Sequence, residues 1–153
     1  MGLKIDWVLR KELAIGKPPQ DEKDISFLKK NGIVTIISLC FESEYKPPIE
    51  IYSFFNYYNL PLPDHRKKES LKVEDILIVL KYIKENIHNG PIYIHCFAAM
   101  ERSPLICIGW LMKAKGYSLQ VALDYLMQIH LGTSPLPNQL NLLNDERFKP
   151  NQK

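Results

Sequence analysis

No stretch of this chain stays apolar for long enough to cross a membrane. The opening residues Met1-Gly2-Leu3-Lys4-Ile5-Asp6 hold no signal-peptide core, and Asp6 stands where a myristoylation motif wants serine or threonine. Cysteine is scarce. Cys40, Cys96 and Cys107 make an odd count without metal-ligand spacing, which argues against a disulfide framework and points to a reducing cytosol. His65, His88 and His130 show no ligand spacing either, so each is expected at the surface or as a cap. The formal net charge of +3 suits anionic substrates but lacks the strong basic bias of a nucleic-acid binder. Internal repeats and low-complexity segments are missing. Together these absences predict a cytoplasmic, monomeric protein with no membrane insertion, no nucleic-acid partner, no metal and no cofactor.

What is present suits a globular domain: 153 residues, 46% hydrophobic and 24% charged. The expected organisation is one catalytic domain over 1–148 with a polar, frayed tail over 149–153. Trp7-Val8 and Leu13-Ala14-Ile15-Gly16 read as short strands, and 21–30 as an amphipathic helix with Ile25, Phe27 and Leu28 inward and Gly32 past its end. The β-branched run 33–39 predicts a strand buried on both faces. A proline-blocked loop follows over 40–48, then an aromatic strand within 52–62. The clearest helix is 71–87, with Ser70 as its N-cap and Glu74 and Asp75 complementing its dipole. Ile92 to Ile94 is a core strand. A helix opened by Ser103 and Pro104 ends at Gly116, and Ser118 starts another that runs to about His130 with Val121, Ala122, Tyr125, Leu126 and Ile129 inward. A last short helix is expected over 139–146. Alternating strands and helices predict an α/β fold: a mainly parallel central sheet flanked by helices, with its site at the carboxyl end of a central strand.

The most informative segment is His95-Cys96-Phe97-Ala98-Ala99-Met100-Glu101-Arg102-Ser103-Pro104. It lies between the run Ile92-Tyr93-Ile94 and an apolar helix, so the order is strand, loop, helix. A loop at a helix N-terminus turns its amides and the helix dipole toward a bound anion, and the same field favours a cysteine thiolate. Phe97, Ala98, Ala99, Met100 and Glu101 supply that cradle. Arg102 adds a planar fork able to hold two phosphate oxygens. A sulfur nucleophile, an oxyanion cradle and a fixed guanidinium suit phosphoryl transfer to Cys96.

His-Cys, five residues, then Arg-Ser resembles the active-site loop of the cysteine-dependent protein tyrosine phosphatases, in the dual-specificity branch by size and layout. Leu13-Ala14-Ile15-Gly16 with Pro18, then Gly32-Ile33 and Ile37-Ser38-Leu39, is similar to the opening of small dual-specificity phosphatases. Cys-x5-Arg also occurs in rhodanese-like Cdc25 phosphatases, where it would close the domain without an upstream acid loop, and in low-molecular-weight phosphatases, where it would sit near the N-terminus. The chemistry further needs a general acid for the leaving oxygen. Pro61-Leu62-Pro63-Asp64-His65, ahead of the long helix, resembles the acid loop of that branch and makes Asp64 the candidate over Glu69 and Asp75. The resemblance implies in-line attack by Cys96, equatorial oxygens held by the loop and Arg102, and protonation of the leaving group by Asp64. Asp64 would then activate water against a phosphocysteine. It gives Ser103 the hydroxyl that assists thiolate departure, a role that leaves room for a plain N-cap. It makes His95 a buried residue that orients the loop.

Two departures stand out. Ala99 replaces the usual glycine, so a Cβ would strain a backbone that needs positive φ. Glu101 brings a carboxylate beside an anion site, where it should be exposed or paired with Lys or Arg. Leu39-Cys40 and Pro63-Asp64-His65 resemble a tumour-suppressor lipid phosphatase of the same superfamily. There the counterpart of Cys40 is a redox partner of the nucleophile, and strand order would bring Cys40 toward Cys96 here. Cys107 should be buried and inert. The expected substrate is a phosphorylated protein or small phosphomonoester: phosphotyrosine, with phosphoserine and phosphothreonine as extensions. The alternatives are a phosphoinositide phosphatase, disfavoured by a loop without lysine, and a catalytically weak phosphoprotein-binding pseudophosphatase. Arg66-Lys67-Lys68 either draws acidic substrates or is a solvated loop.

Overall fold

The computed structural model describes residues 2–150; residues 151–153 of the expected tail lie outside them. Strands β1 (Asp6–Leu9) and β2 (Leu13–Gly16) form an antiparallel hairpin that turns through Lys11 at φ 62°. The β-branched run yields β3 (Thr35–Ser38), buried at all four positions. With β4 (Asn56–Asn59) and β5 (Ile92–His95) the sheet has the order β1-β2-β5-β3-β4, every pairing after the hairpin being parallel. Central β5 ends with His95 abreast of both Gly16 and Ser38. Three strands therefore release their next segments at one edge, where open α/β sheets bind ligands.

Side chains alternate across the sheet. Ile36 and Tyr93 face α1 (Glu22–Lys30) and α2 (Ile51–Phe54) on one side, in a core with Ile25, Leu28 and Ile51. Ile37 and Ile94 face the other side, covered by α3 (Val73–Asn86), α4 (Arg102–Lys115), α5 (Leu119–Ile129) and α6 (Pro137–Leu142). Helix α4 is apolar around its circumference, and Leu105, Ile106, Ile108 and Leu111 are fully buried. Gly116, at φ 71°, closes it in the left-handed conformation, and Ser118 caps α5 by accepting from the Val121 amide at 3.2 Å.

Several boundaries differ from the sequence expectation. Residues 52–62 do not form one strand. Ile51 and Phe55, one helical turn apart, both bury in the α1-side core, so a turn of helix precedes a strand of only four residues. Helix α3 starts at Val73 rather than after Ser70, because the Asp75 carboxylate binds the Lys72 amide at 2.9 Å. Arg102, not Ser103, begins α4, so Ser103 lies inside the helix and is no N-cap. The last helix falls on Pro137–Leu142, ahead of the expected span. Phe27 and Val121 are exposed rather than inward.

Candidate active site

Cys96 leaves the end of β5 and is almost wholly buried, 2% exposed. Its Sγ lies 3.2 Å from Oγ of Ser103, the second residue of α4, so the hydroxyl donates when the sulfur is a thiolate. Among the described residues, the backbone amides of 97–101 donate to no other group. Five consecutive N–H groups thus lack a protein partner just ahead of a fourteen-residue helix, a setting able to receive an anion. Ala99 stands at φ 60°, so the loop does require the left-handed backbone that a glycine would accept without strain. Phe97 and Met100 are about half exposed and give the loop an apolar rim.

Buried Arg102 spends one edge of its guanidinium on the protein. Nη1 and Nη2 donate to the two Glu44 oxygens at 2.9 and 2.6 Å, and Nη1 also reaches the Leu39 and Leu62 carbonyls at 3.2 and 3.0 Å. Nε has no partner among the described residues, so the edge formed by Nε and the second Nη2 proton is left for an oxyanion. Burial opposes the Arg102 charge, but the Glu44 contacts outweigh it and raise the guanidinium further. Glu44 gave no signal in the sequence. It sits in the irregular loop over 40–48 and meets Arg102 only through the tertiary fold.

Asp64, 9% exposed, arrives from the segment after β4 and lies 4.0 Å from Arg102 Nη2. Its carboxylate is held by Arg66: Nε at 2.8 Å and Nη2 at 2.7 Å on Oδ2, and the Arg66 amide at 2.9 Å on Oδ1. Burial works to raise this carboxyl, yet the Arg66 hydrogen bonds and the charges of Arg102 and Arg66 bring it below its ordinary value. Glu69 lies on the exposed approach to α3, and Asp75 is spent on the α3 cap.

Glu101 is partly buried, and its partners are not Lys or Arg. Oε2 meets His65 Nδ1 at 2.8 Å and Oε1 accepts from Gln139 Nε2 at 3.1 Å, so each carboxylate oxygen has a partner within the protein. His95 is fully buried. Burial, aided by the Arg102 charge, pushes its imidazole down to about 4, so the neutral ring donates from Nδ1 to the Cys96 carbonyl at 3.2 Å. His130 is the C-cap of α5, one of the two places expected for it, and it is buried with its ring between Asp6 and the Ala99 carbonyl. Cys40 follows β3 beside the loop. Burial, with Glu44 and Cys96 adding to it, pushes its thiol up to about 11. Cys107 is fully buried in α4, and burial raises its thiol well beyond the ordinary range. No cluster of metal-ligating side chains occurs among the described residues, and none of their helices is long and apolar enough to cross a membrane.

A family model described as dual specificity phosphatase, catalytic domain, matches residues 17–147. Dual specificity protein phosphatase 5 of Homo sapiens is 32% identical over 81 residues, covering 52% of this chain and 21% of its own length. Phosphatidylglycerophosphate phosphatase PTPMT2 of Arabidopsis thaliana is 25% identical over 124 residues, covering 80% of this chain and 54% of its own. The chain thus spans about a fifth and about half of the lengths of these two relatives. The crystal structure of Tk-PTP in the active form superposes with a TM-score of 0.79 at 21% identity, covering 92% of this chain and 93% of that one, and so shares the fold.

Proposed function

The chain belongs to the dual specificity phosphatase catalytic-domain family, and on that premise we propose that it hydrolyses phosphate monoesters of proteins through a phosphocysteine on Cys96. Phosphotyrosine is the first substrate, with phosphoserine and phosphothreonine behind it. The observation that carries this reading is the five unpartnered amides of 97–101 set around a buried cysteine, with the Nε edge of Arg102 free. Cys96 Sγ attacks phosphorus in line. The amides and Arg102 take the charge that grows on the equatorial oxygens, and Glu44 keeps Arg102 from turning away. Asp64, once protonated, gives its proton to the departing oxygen. As a carboxylate it then takes one from the water that attacks the phosphocysteine, while the Ser103 hydroxyl stabilises the departing thiolate. The apolar rim of Phe97 and Met100 suits an aryl phosphate, and a cleft of about 300 Å³ beside Asp64, lined in part by His65, Lys67, Asn138 and Gln139, has room for the substrate's body. A single catalytic domain over 1–148, acting as a cytoplasmic monomer without cofactor, is part of the same proposal; its three unpaired thiols suit a reducing compartment.

A lipid phosphomonoester is the second reading, favoured by the 25% identity to a phosphatidylglycerophosphate phosphatase over most of this chain. The deciding experiment measures turnover of para-nitrophenyl phosphate, then of a phosphotyrosine peptide against a phosphoinositide in mixed micelles. Turnover of the aryl phosphate and the peptide is expected. Faster hydrolysis of the lipid selects the second reading, and binding without any turnover selects a phosphoprotein-binding pseudophosphatase.

Redox control through Cys40 is part of the same proposal, supported by its position just after β3, the strand beside β5 that leads to Cys96. Peroxide oxidises the Cys96 thiolate to a sulfenic acid and is itself reduced to water; the Cys40 thiol then forms the S–S bond and the sulfenic oxygen leaves as water. After brief peroxide treatment, wild type should regain activity with dithiothreitol and yield a Cys40–Cys96 peptide before reduction. Cys40→Ser should recover far less. Equal recovery of both would reject the switch.

A further inference from the structure

The outer side of the cradle is held by the segment that follows α5. His130 Nε2 donates to the Ala99 carbonyl at 2.7 Å, and the Ser134 amide donates to the Met100 carbonyl at 2.8 Å. In a trans peptide the C=O and the N–H of the same unit point in opposite directions, and the described chain has no cis bond. Drawing the Ala99 oxygen outward therefore turns the Met100 N–H to the opposite side, and the Ser134 bond does the same for the Glu101 N–H. Both N–H groups belong to the unpartnered set of 97–101.

His130 is well placed to hold that orientation. It is 7% exposed, its Nδ1 lies 2.6 Å from Asp6 Oδ2 on β1, and its own carbonyl accepts from Thr133 Oγ1 at 2.7 Å. A carbonyl only accepts, so Nε2 is the donor in the contact with Ala99. The peptide held this way follows Ala99, whose Cβ makes φ 60° unfavourable by itself.

From this juxtaposition we infer that His130, braced by Asp6, is a positioning residue. It aims the Met100 amide at the bound phosphate and holds the peptide after Ala99 in a conformation that glycine would adopt unaided. The inference rests on the reading of residues 97–102 as a phosphate cradle.

Orthovanadate, which mimics the five-coordinate transition state, is the probe. His130→Leu should weaken vanadate binding by roughly ten- to a hundredfold, as expected when an oxyanion donor is misaligned. His130→Gln keeps an N–H donor of similar reach and should restore most of that loss, which a purely space-filling role would not predict. In the wild-type protein, vanadate should shift the Met100 and Glu101 amide protons. Equal affinity of wild type and His130→Leu, or a Gln variant as weak as the Leu variant, would overturn the inference. If the Leu variant does not fold, an unmoved Met100 amide proton in the vanadate-bound wild type overturns it as well. Wild-type protein that binds no vanadate overturns the phosphatase reading itself, and this inference with it.

Discussion

Cys96→Ser is expected to lower kcat by on the order of 10⁴-fold or more while the domain keeps its fold. The exchange is nearly isosteric at a site that is 2% exposed, and a serine hydroxyl keeps a contact with Ser103 Oγ. What is lost is the nucleophile, because a serine hydroxyl stays protonated where a thiolate would form. The five amides and the Arg102 edge remain, so the variant should still bind a phosphotyrosine peptide as tightly as wild type and hold it unreacted. Calorimetric titration beside a turnover assay checks both halves. Turnover within tenfold of wild type would remove Cys96 from the reaction.

Asp64→Asn should lower kcat/KM for esters with poor leaving groups by roughly 10²- to 10⁴-fold and that for para-nitrophenyl phosphate much less, because kcat/KM reports the step in which the leaving group departs and a good one needs little protonation. The alkaline limb of kcat/KM should disappear with it. Arg66 gives this prediction a second arm. Burial pushes the Asp64 carboxyl up, but the hydrogen bonds from Arg66 and the two arginine charges leave it low. The acid donates only while protonated, so its contribution is present below its pKa and lost as pH rises through it. A lowered pKa places that loss at lower pH. Arg66→Gln removes two side-chain bonds at 2.7 and 2.8 Å and should move the alkaline limb to higher pH. A limb that stays in place in Arg66→Gln, or survives in Asp64→Asn, would assign it to another group.

Chemistry concentrated in one contiguous segment could be read from the sequence; chemistry assembled across the fold could not. Cys96 and Arg102 stand six positions apart within one strand–loop–helix unit, and a β-branched run, an apolar helix and a glycine stop fix that unit locally. The parallel sheet followed from the same alternation. Glu44, Arg66 and Gln139 carry no periodicity or motif, and their roles depend on where separate loops meet the signature loop. His130 reads as a helix end and is one, but its two side-chain partners come from β1 and from the signature loop, which no local pattern shows. The short α2 shows how tertiary burial can override strand propensity in an aromatic stretch. Ser103 reads from the sequence as either cap or catalytic hydroxyl; α4 begins two residues earlier than a Ser103 cap requires, with Glu101 in the cap position and Ser103 Oγ against the sulfur.

The covalent intermediate is the central claim, and trapping it is the most direct measurement. In Asp64→Asn the leaving group of para-nitrophenyl phosphate still departs, whereas the base for the second step is gone, so phosphoenzyme should accumulate. Acid quenching within the burst, followed by peptide mass spectrometry, should find phosphate on the Cys96 sulfur and a burst equal to the enzyme concentration. Turnover with no phosphate on that peptide, or phosphate attached to another residue, would contradict the account.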